Sequence, residues 1–323
     1  MTVFLDPQND YAFKCIFGDE RKPEILMSFL NSTLGFSGEQ HIDEIRLLNS
    51  FQAPYIMGTK ETIVDVRCRD HGGHEYIVEM QVLPKDYFDK RILYYATKSY
   101  SMQLDRGEGY SRLRRVIFLG VLGFSFSKNP DYMAQHTVRD VQSNERILHD
   151  LEFNFIELPK FNKKEHELTS LSDKWIYFLQ HAGDCKKVPE VFANDADIVA
   201  AFEVLRECNW SKEELRLYDN IDMRRMDTFA ELEYARKTGE AEGRAIGEAE
   251  GKAEGKAEGK AEGKAEGEKM GIEMGMEKGR LAERCELVRK LMAQNIDLAI
   301  IAKATSLSIE KLQALQLQKE SFE

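Results

Sequence analysis

The chain has 323 residues, of which 42% are hydrophobic and 31% are charged, a balance typical of a soluble globular protein with one large domain or two ordinary ones. No apolar run approaches the roughly 20 residues needed to cross a bilayer, so we expect no transmembrane segment and no membrane partner. The formal net charge of −11 repels nucleic acid at long range. This charge counts against a simple basic DNA-coating protein, but not against an enzyme with a local basic face.

The five cysteines lie far apart, and no two of them form a C-x-x-C pair. This spacing argues against a structural zinc site and against a disulfide framework. The first seven residues, MTVFLDP, contain no basic stretch followed by an apolar one, so a secretory signal is not expected. Together these features predict a cytoplasmic protein.

In chain order, the first elements alternate between helical and strand patterns. Residues 10–34 carry apolar side chains at near-helical spacing and predict helical structure, whereas residues 42–49 alternate and predict a strand. Residues 62–69 and 75–83 alternate strongly, and the turn-forming residues between them predict a hairpin.

The next elements are a helix, a buried strand and further strands. Residues 87–104 predict a long helix rich in Tyr, Lys and Arg, and the continuous apolar run at 115–124 is typical of a buried central strand. We expect further strands at 135–141 and 147–158, followed by mostly helical structure at 172–235. The order αβββαβ, followed by strands and helices, predicts an α/β fold with a mixed sheet.

A repeat tract follows, in which a glycine stands at every fourth position from Gly239 to Gly279. Between Gly251 and Gly267 the repeated unit is Gly-Lys-Ala-Glu. Ala, Glu and Lys favour a helix, whereas each interior glycine costs about 1 kcal/mol relative to alanine. Two interpretations remain open: a helix that is stable when packed against a copy or a partner, and a flexible linker.

The end of the chain predicts a small helical tail. Residues 269–292 have helical character, and residues 296–315 predict two short helices around a Ser/Thr break, a helix-turn-helix-like pattern. Residues 239–323 hold 14 basic and 17 acidic side chains, so this pattern favours an interaction or dimer module over a DNA reader. The predicted organisation is an α/β domain at 1–160, a helical extension at 161–238, the repeat tract at 239–279 and the tail at 280–323.

Two acidic residues occupy the predicted hairpin. Asp65 lies mid-strand between two valines, and Glu79 lies mid-strand with Gln81 on the same face. Buried carboxylates on neighbouring strands repel each other unless a cation binds, and such hard oxygen ligands suit Mg²⁺ or Mn²⁺. The alternative is a solvated sheet face on which Asp65 and Glu79 pair with Arg67 or Arg69.

Three segments resemble a known family: NDYAFKCIFG at 9–18, IVDVRCRD at 63–70 and YIVEMQ at 76–81. They are similar to the Rpn family of recombination-promoting nucleases, which are PD-(D/E)XK nuclease family transposases. The helix from Arg91 to Gln103 and a glycine-rich tract before a short helical C-terminus are also similar to that family. The resemblance covers most of residues 5–240.

The resemblance implies a restriction-endonuclease-like αβββαβ core, in agreement with the order of elements above. It implies that Asp65 and Glu79 bind a metal ion, and that Asp10 matches an acidic position on the first helix that parts of the superfamily use. Gln81 stands where the catalytic lysine usually lies. We therefore expect Lys14, one turn after Asp10, to supply the missing positive charge.

These residues predict metal-assisted hydrolysis of a phosphodiester. Asp65 and Glu79 hold one or two Mg²⁺ ions, with the Met80 carbonyl as an extra ligand and with Mn²⁺ or Ca²⁺ as alternative ions. Gln81 orients the attacking water, and Lys14 offsets negative charge in the transition state.

Phosphate contacts are expected from the basic helix at 87–104, where side chains four residues apart share a face. Lys98 is also a second candidate for the missing lysine, and core packing is the alternative role of the tyrosines. The residues predicted to bind DNA are Lys90, Arg91, Tyr95, Lys98 and Gln103.

We therefore expect a metal-dependent DNA endonuclease that acts in recombination or mobile-element transfer. The alternative is a catalytically weak DNA-binding or oligomeric interaction protein that retains the nuclease fold, which Gln81 favours, and a scaffold organised by the repeat tract is a third interpretation. DNA is the predicted partner. A homo-oligomer, a dimer or larger, is also expected, because two active sites suit double-strand cutting and the tract and tail offer an interface.

Overall fold

A computed structural model of the chain describes residues 3–52 and 62–312. The chain divides into two compact units, with the boundary between Glu233 and Tyr234. The first unit contains a sheet and the helices that cover it, and the second contains the repeat tract and the tail.

Six strands of the first unit form one mixed sheet. In spatial order they are β1 (Ile45–Leu47), β4 (Val66–Asp70), β5 (Glu75–Gln81), β6 (Val116–Leu122), β8 (Leu151–Glu157) and β7 (Met133–Thr137). The central strands β5, β6 and β8 are parallel, whereas β1, β4 and β7 join the sheet by antiparallel pairing. Two short strands, β2 (Phe51–Gln52) and β3 (Thr62–Ile63), pair with each other.

Helices cover both faces of this sheet. On one face, α1 (Asp10–Phe17), α2 (Pro23–Leu34), α4 (Leu171–His181) and α5 (Ala196–Leu205) share the larger apolar core. On the opposite face, α3 (Phe88–Ser101) packs through a smaller core. Successive residues of β6 alternate between the two cores, which explains the continuous apolar run at 115–124. The predicted mixed α/β fold is confirmed.

The helical segment predicted at 10–34 is two helices separated by residues 18–22. The first begins after Asn9, whose side chain accepts hydrogen bonds from two backbone N–H groups of the first turn. It ends at Gly18, where an added Cβ would lie 2.6 Å from the Lys14 carbonyl oxygen. Pro23 then starts α2, where its missing N–H costs no hydrogen bond.

Most of the helical extension predicted at 161–238 shares its core with residues 1–160, the domain that the resemblance identifies as nuclease-like. Trp175 of α4 and Phe202 of α5 are fully buried. The Trp175 ring centroid lies 5.8 Å from that of Phe17 and 5.7 Å from that of Phe29. These aromatic contacts join α4 to α1 and α2 in the first unit.

The second unit contains most of α6 (Lys212–Ala293), which includes the whole repeat tract, and α7 (Leu298–Thr305). The tract residues are exposed, and a Cβ on any tract glycine would meet no atom of the described residues within 4 Å. Val288, Ile301 and Leu312 form a small buried cluster. Residues 309–312 are helical, and the rest of the second predicted tail helix lies outside the described residues. Among the described helices, none is long and apolar enough to cross a membrane.

Candidate active site

Asp65 lies at an interruption between two strands rather than in the middle of one strand. The segment predicted as one strand at 62–69 is two strands, β3 and β4, and Asp65 stands between them. In a regular strand, Val64 and Val66 would point to the same face. Instead Val64 packs in the core beneath α3 and Val66 packs in the core on the other face. The break turns the chain, and the Asp65 carboxylate points to the end of β5.

Two groups hold the Asp65 carboxylate in place. The Lys14 ammonium lies 3.1 Å from Oδ1, and the backbone N–H of Met80 donates to Oδ2 at 2.9 Å. The Asp65 side chain is 12% exposed and the Lys14 side chain 40%. The Asn9 cap fixes the start of α1 and therefore places Lys14 one turn into that helix, beside Asp65.

Glu79 is the buried member of the pair. It lies on β5 and is 7% exposed, and its Oε1 has no hydrogen-bond partner among the described residues. Burial raises its pKa to about 8, and the nearby charge of Asp65 contributes to the same shift, whereas Arg91 and Lys14 oppose it. The group is therefore largely protonated at neutral pH when no cation is bound.

Asp10 stands at the start of α1, on the Lys14 side of this pair. The residue is exposed by its accessible area, but the surrounding protein still partly desolvates its carboxyl group and raises the pKa, and the charge of Asp65 raises it further. Lys14 acts in the opposite direction. The charges of Asp10, Asp65 and Glu79 thus influence one another.

Gln81 points to the same face as Glu79, as the alternation predicts, and both ends of its amide are engaged. Its Nε2 donates to the Leu83 carbonyl at 2.8 Å, and its Oε1 accepts a short hydrogen bond from Nη2 of Arg91. The Arg91 guanidinium lies over the rings of Phe88 and Tyr95, at 5.3 and 5.9 Å from their centroids.

Helix α3 lies along β5 and contacts both ends of that strand. Ser99 donates to Glu75 at one end of the strand, and Arg91 donates to Gln81 at the other. Between them, burial and the charge of Glu79 raise the pKa of Tyr95. Eight helix residues advance by about 12 Å and six strand residues by about 20 Å, so the two contacts do not keep a constant step and the long side chain of Arg91 reaches Gln81 along the strand.

The alternative in which Asp65 and Glu79 pair with Arg67 or Arg69 is wrong. Arg67 and Arg69 both pair with Glu75, at 2.8 and 2.6 Å. Glu75 is fully buried, and although burial acts to raise its pKa, Ser99 and the two arginines hold that pKa below its usual range. The sequence reasoning missed Glu75. Its signal was the i, i+4 spacing to Glu79 on one strand face.

The predicted DNA-binding residues lie on and just after α3. Lys90 lies over the ring of Tyr87 at 5.2 Å, and Lys98 lies over the ring of Tyr94 at 5.9 Å. Gln103 lies beyond the helix end and is engaged with the backbone of Arg114, from which it accepts and to which it donates. Arg91 and Tyr95 therefore lie at the carboxylate pair, whereas Gln103 supports a neighbouring loop.

A family model for the PD-(D/E)XK nuclease family transposases matches residues 7–235. The chain belongs to this family. The match covers the whole sheet, both site carboxylates and α1–α5. The six-stranded mixed sheet with its helices fits a PD-(D/E)XK nuclease, and such nucleases generally use divalent metal ions. Comparison with curated proteins and with solved structures gives no match.

The chemistry of the site fits the divalent cation that PD-(D/E)XK nucleases generally use. A buried carboxylate oxygen without a partner, such as Glu79 Oε1, is costly unless a cation or a proton satisfies it. Among the described residues, no three His, Cys, Asp or Glu side chains are placed to hold a metal ion by themselves. Mg²⁺ suits such a site, because it commonly takes one or two carboxylates and completes its shell with water and substrate phosphate.

Proposed function

We propose that this PD-(D/E)XK family member is a metal-dependent DNA endonuclease that acts in recombination or mobile-element transfer. The observation that carries the proposal is the buried Asp65–Glu79 pair, in which Glu79 has an oxygen without a partner among the described residues. Lys14 and Arg91 lie beside this pair and provide positive charge for a phosphate.

Asp65 and Glu79 would hold Mg²⁺, with Mn²⁺ or Ca²⁺ as alternatives, and the Met80 carbonyl would be an additional oxygen ligand. Asp10 would act on the cation through its charge rather than as a third carboxylate ligand. A divalent ion held by these residues would polarise the phosphodiester and would lower the pKa of a nearby water. Glu79 must lose its proton to act as a ligand, so the raised pKa of this carboxyl links cation binding to pH.

The reaction is the hydrolysis of one phosphodiester. The oxygen of water bonds to phosphorus, one P–O ester bond breaks, a proton leaves the water and the departing alkoxide takes up a proton. Positive charge beside the phosphate stabilises the negative charge that accumulates on its oxygens. Lys90 and Lys98, on α3, would contact neighbouring phosphates and hold the backbone in register.

Plasmid cleavage by the purified full chain tests this function. We expect cutting with Mg²⁺ or Mn²⁺, none with EDTA, and loss of at least 10²-fold in Asp65→Ala and Glu79→Ala, because each removes a ligand. Asp131→Ala, an exposed carboxylate on another loop, is the matched control and should cut like wild type. Absence of cutting with every metal, while DNA is still bound, would favour the catalytically weak DNA-binding protein.

A homo-oligomer is a separate part of the proposal. Its support is the exposed repeat helix, whose glycines leave open space on the helix surface for close approach of another chain. Sedimentation of the full chain and of a chain lacking residues 239–323 tests it. A monomer in both cases would exclude the tract and the tail as an interface.

A further inference from the structure

We propose that Arg91 is the catalytic cation of this site, in place of the lysine that PD-(D/E)XK nucleases usually carry on the strand, and that Gln81 is the residue that positions Arg91. This inference rests on the proposed endonuclease function and assigns roles to two of its residues.

Gln81 occupies the strand position where a lysine is expected, but it has no charge and its amide is hydrogen-bonded within the protein. Its Nε2 donates to Leu83 and its Oε1 accepts from Arg91. Each polar end is therefore bonded within the protein and keeps one further hydrogen-bonding site, but the amide has no charge with which to offset that of a phosphate. The carboxamide instead fixes one edge of the Arg91 guanidinium at the end of β5.

Arg91 keeps an unused donor at the same place. A guanidinium has five N–H donors in a planar fork. Nη2 is bonded to Gln81, whereas Nε is buried and has no partner among the described residues. Glu79 Oε1, at the same site, is also buried and finds no partner in the described part of the chain. A donor and an acceptor left unsatisfied together suit two ligands of opposite charge: an anionic oxygen for Arg91 and a cation for Glu79.

The rings of Phe88 and Tyr95 restrict the guanidinium further. Arginine on such a stack loses little freedom when it binds phosphate, because its orientation is already set. The charge of Arg91 also acts on Glu79, whose pKa it lowers, so the two groups are electrostatically coupled. Arg91 therefore lies close to Glu79 and to the place where a phosphate would bind beside a cation held by the two carboxylates.

Lys14 is the competing candidate, and its charge is already committed. Its ammonium lies 3.1 Å from Asp65 Oδ1, and its side chain is 40% exposed. This ion pair holds Asp65 in place before a cation binds. A partly exposed lysine that is paired with a carboxylate stabilises a phosphate less than a partly buried, stacked arginine whose buried Nε–H has no partner among the described residues.

The test compares four variants of the full chain with wild type. They are Arg91→Gln, Arg91→Lys, Gln81→Lys and the double variant Gln81→Lys/Arg91→Gln. Arg139→Gln is the matched control, since Arg139 is an exposed arginine beside the distant edge strand β7 and its loss removes the same charge. Thermal midpoints of all proteins establish that they fold.

We expect Arg91→Gln to lower kcat by about 10²-fold, in line with the loss of one buried donor to a transition state, with a smaller change in KM. Arg91→Lys should retain part of the activity. Gln81→Lys should also lower kcat by about 10-fold or more, because it removes the acceptor of Arg91 and places a like charge beside it. The double variant should cut faster than Arg91→Gln, because the new lysine then supplies the charge without repulsion.

The opposite results overturn the proposal. If Gln81→Lys cuts as fast as wild type or faster, the strand position is the natural place for the cation and Arg91 is not its replacement. Wild-type kcat in Arg91→Gln has the same consequence.

A second readout separates this proposal from the endonuclease function. DNA binding is measured in EDTA over a range of salt, where one lost phosphate contact lowers the slope of log K against log salt by about one. If wild type never cuts, the endonuclease function fails, and a lower slope in Arg91→Gln still supports the phosphate contact. An unchanged slope excludes that contact.

Discussion

Glu79→Gln should stabilise the protein, although it removes a residue of the active site. The Glu79 carboxyl has an ordinary pKa near 4.5 in the unfolded chain and about 8 in the folded one. Between these values the unfolded state releases a proton that the folded state retains. Stability is therefore fully present below pH 4.5 and falls as pH rises toward 8. A neutral glutamine of nearly the same shape is free of this penalty.

The size of the effect follows from the displaced pKa. It corresponds to about 5 kcal/mol at pH 8.5, because each pKa unit is about 1.4 kcal/mol. The difference between Glu79→Gln and wild type should be close to zero at pH 4.5 and largest above pH 8. In a domain of this size, about 5 kcal/mol raises the thermal midpoint by about 10 °C or more.

The assay is thermal unfolding of the full chain in EDTA at pH 4.5, 6 and 8.5. Glu157→Gln is the matched control, because Glu157 is also a buried strand carboxylate. Burial acts to raise the pKa of Glu157, but hydrogen bonds from Lys160 and Ser127 hold it below its usual range. The ionised Glu157 carboxylate therefore stabilises the folded state above pH 4.5, and this contribution is lost as pH falls further. Glu157→Gln should destabilise the protein at pH 6 and 8.5.

Added Mg²⁺ should reduce the difference in thermal midpoint between wild type and Glu79→Gln. At pH 8.5 it should raise the midpoint of wild type, whose Glu79 is then a ligand, and leave Glu79→Gln nearly unchanged. The reasoning is refuted if Glu79→Gln is no more stable than wild type at pH 8.5 in EDTA, or if its advantage is the same at all three pH values.

Three further predictions concern packing and the repeat helix. Glu75→Gln should destabilise the first unit by roughly 3 kcal/mol in urea unfolding, because it leaves Arg67 and Arg69 without their shared buried partner, and an unchanged midpoint would show the network to be dispensable. Gly120→Ala should cost roughly 1–3 kcal/mol in the same assay, since its Cβ would lie 3.1 Å from ring atoms of Phe118 and Phe155, and wild-type stability would mean that the rings move freely. Gly255→Ala should raise the helical circular dichroism and stabilise the tract by about 1 kcal/mol, because its Cβ would meet nothing, and a loss of helix would exclude a solvated helical tract.

Sequence pattern predicted the parts of the fold that depend on local periodicity. The patterns at 75–83 and 115–124 predict β5 and β6, because one alternates and the other is continuously apolar. Both strands are buried on both faces, and the polar face of β5 carries the buried Glu75, Glu79 and Gln81. The same alternation places Glu79 and Gln81 on one face. The break at Asp65 could not be predicted this way, because the segment 62–69 alternates as a strand would.

Tertiary contacts interrupt that strand. The Asp65 carboxylate is bonded to Lys14 on α1 and to the backbone of Met80 on β5, and neither partner is local in sequence. The partner of Gln81 was hidden for the same reason, since Arg91 reaches it only when α3 lies along β5. Helix α3 itself was predictable, but the way its residues align with the strand was not.

The charges at the site explain how a protein of net charge −11 can act on DNA. With Glu79 protonated, Asp10 and Asp65 balance Lys14 and Arg91, and the site is close to neutral. When Glu79 loses its proton and a divalent cation binds, the site carries one net positive charge and attracts phosphate. A phosphate that binds there must in turn favour the cation, because coupling between two ligands is reciprocal. Cation and DNA should therefore bind cooperatively, and the raised pKa of Glu79 makes that cooperativity weaker as pH falls from 8 toward 6, because the cation-free site is then neutral rather than negative and the cation changes its charge by less.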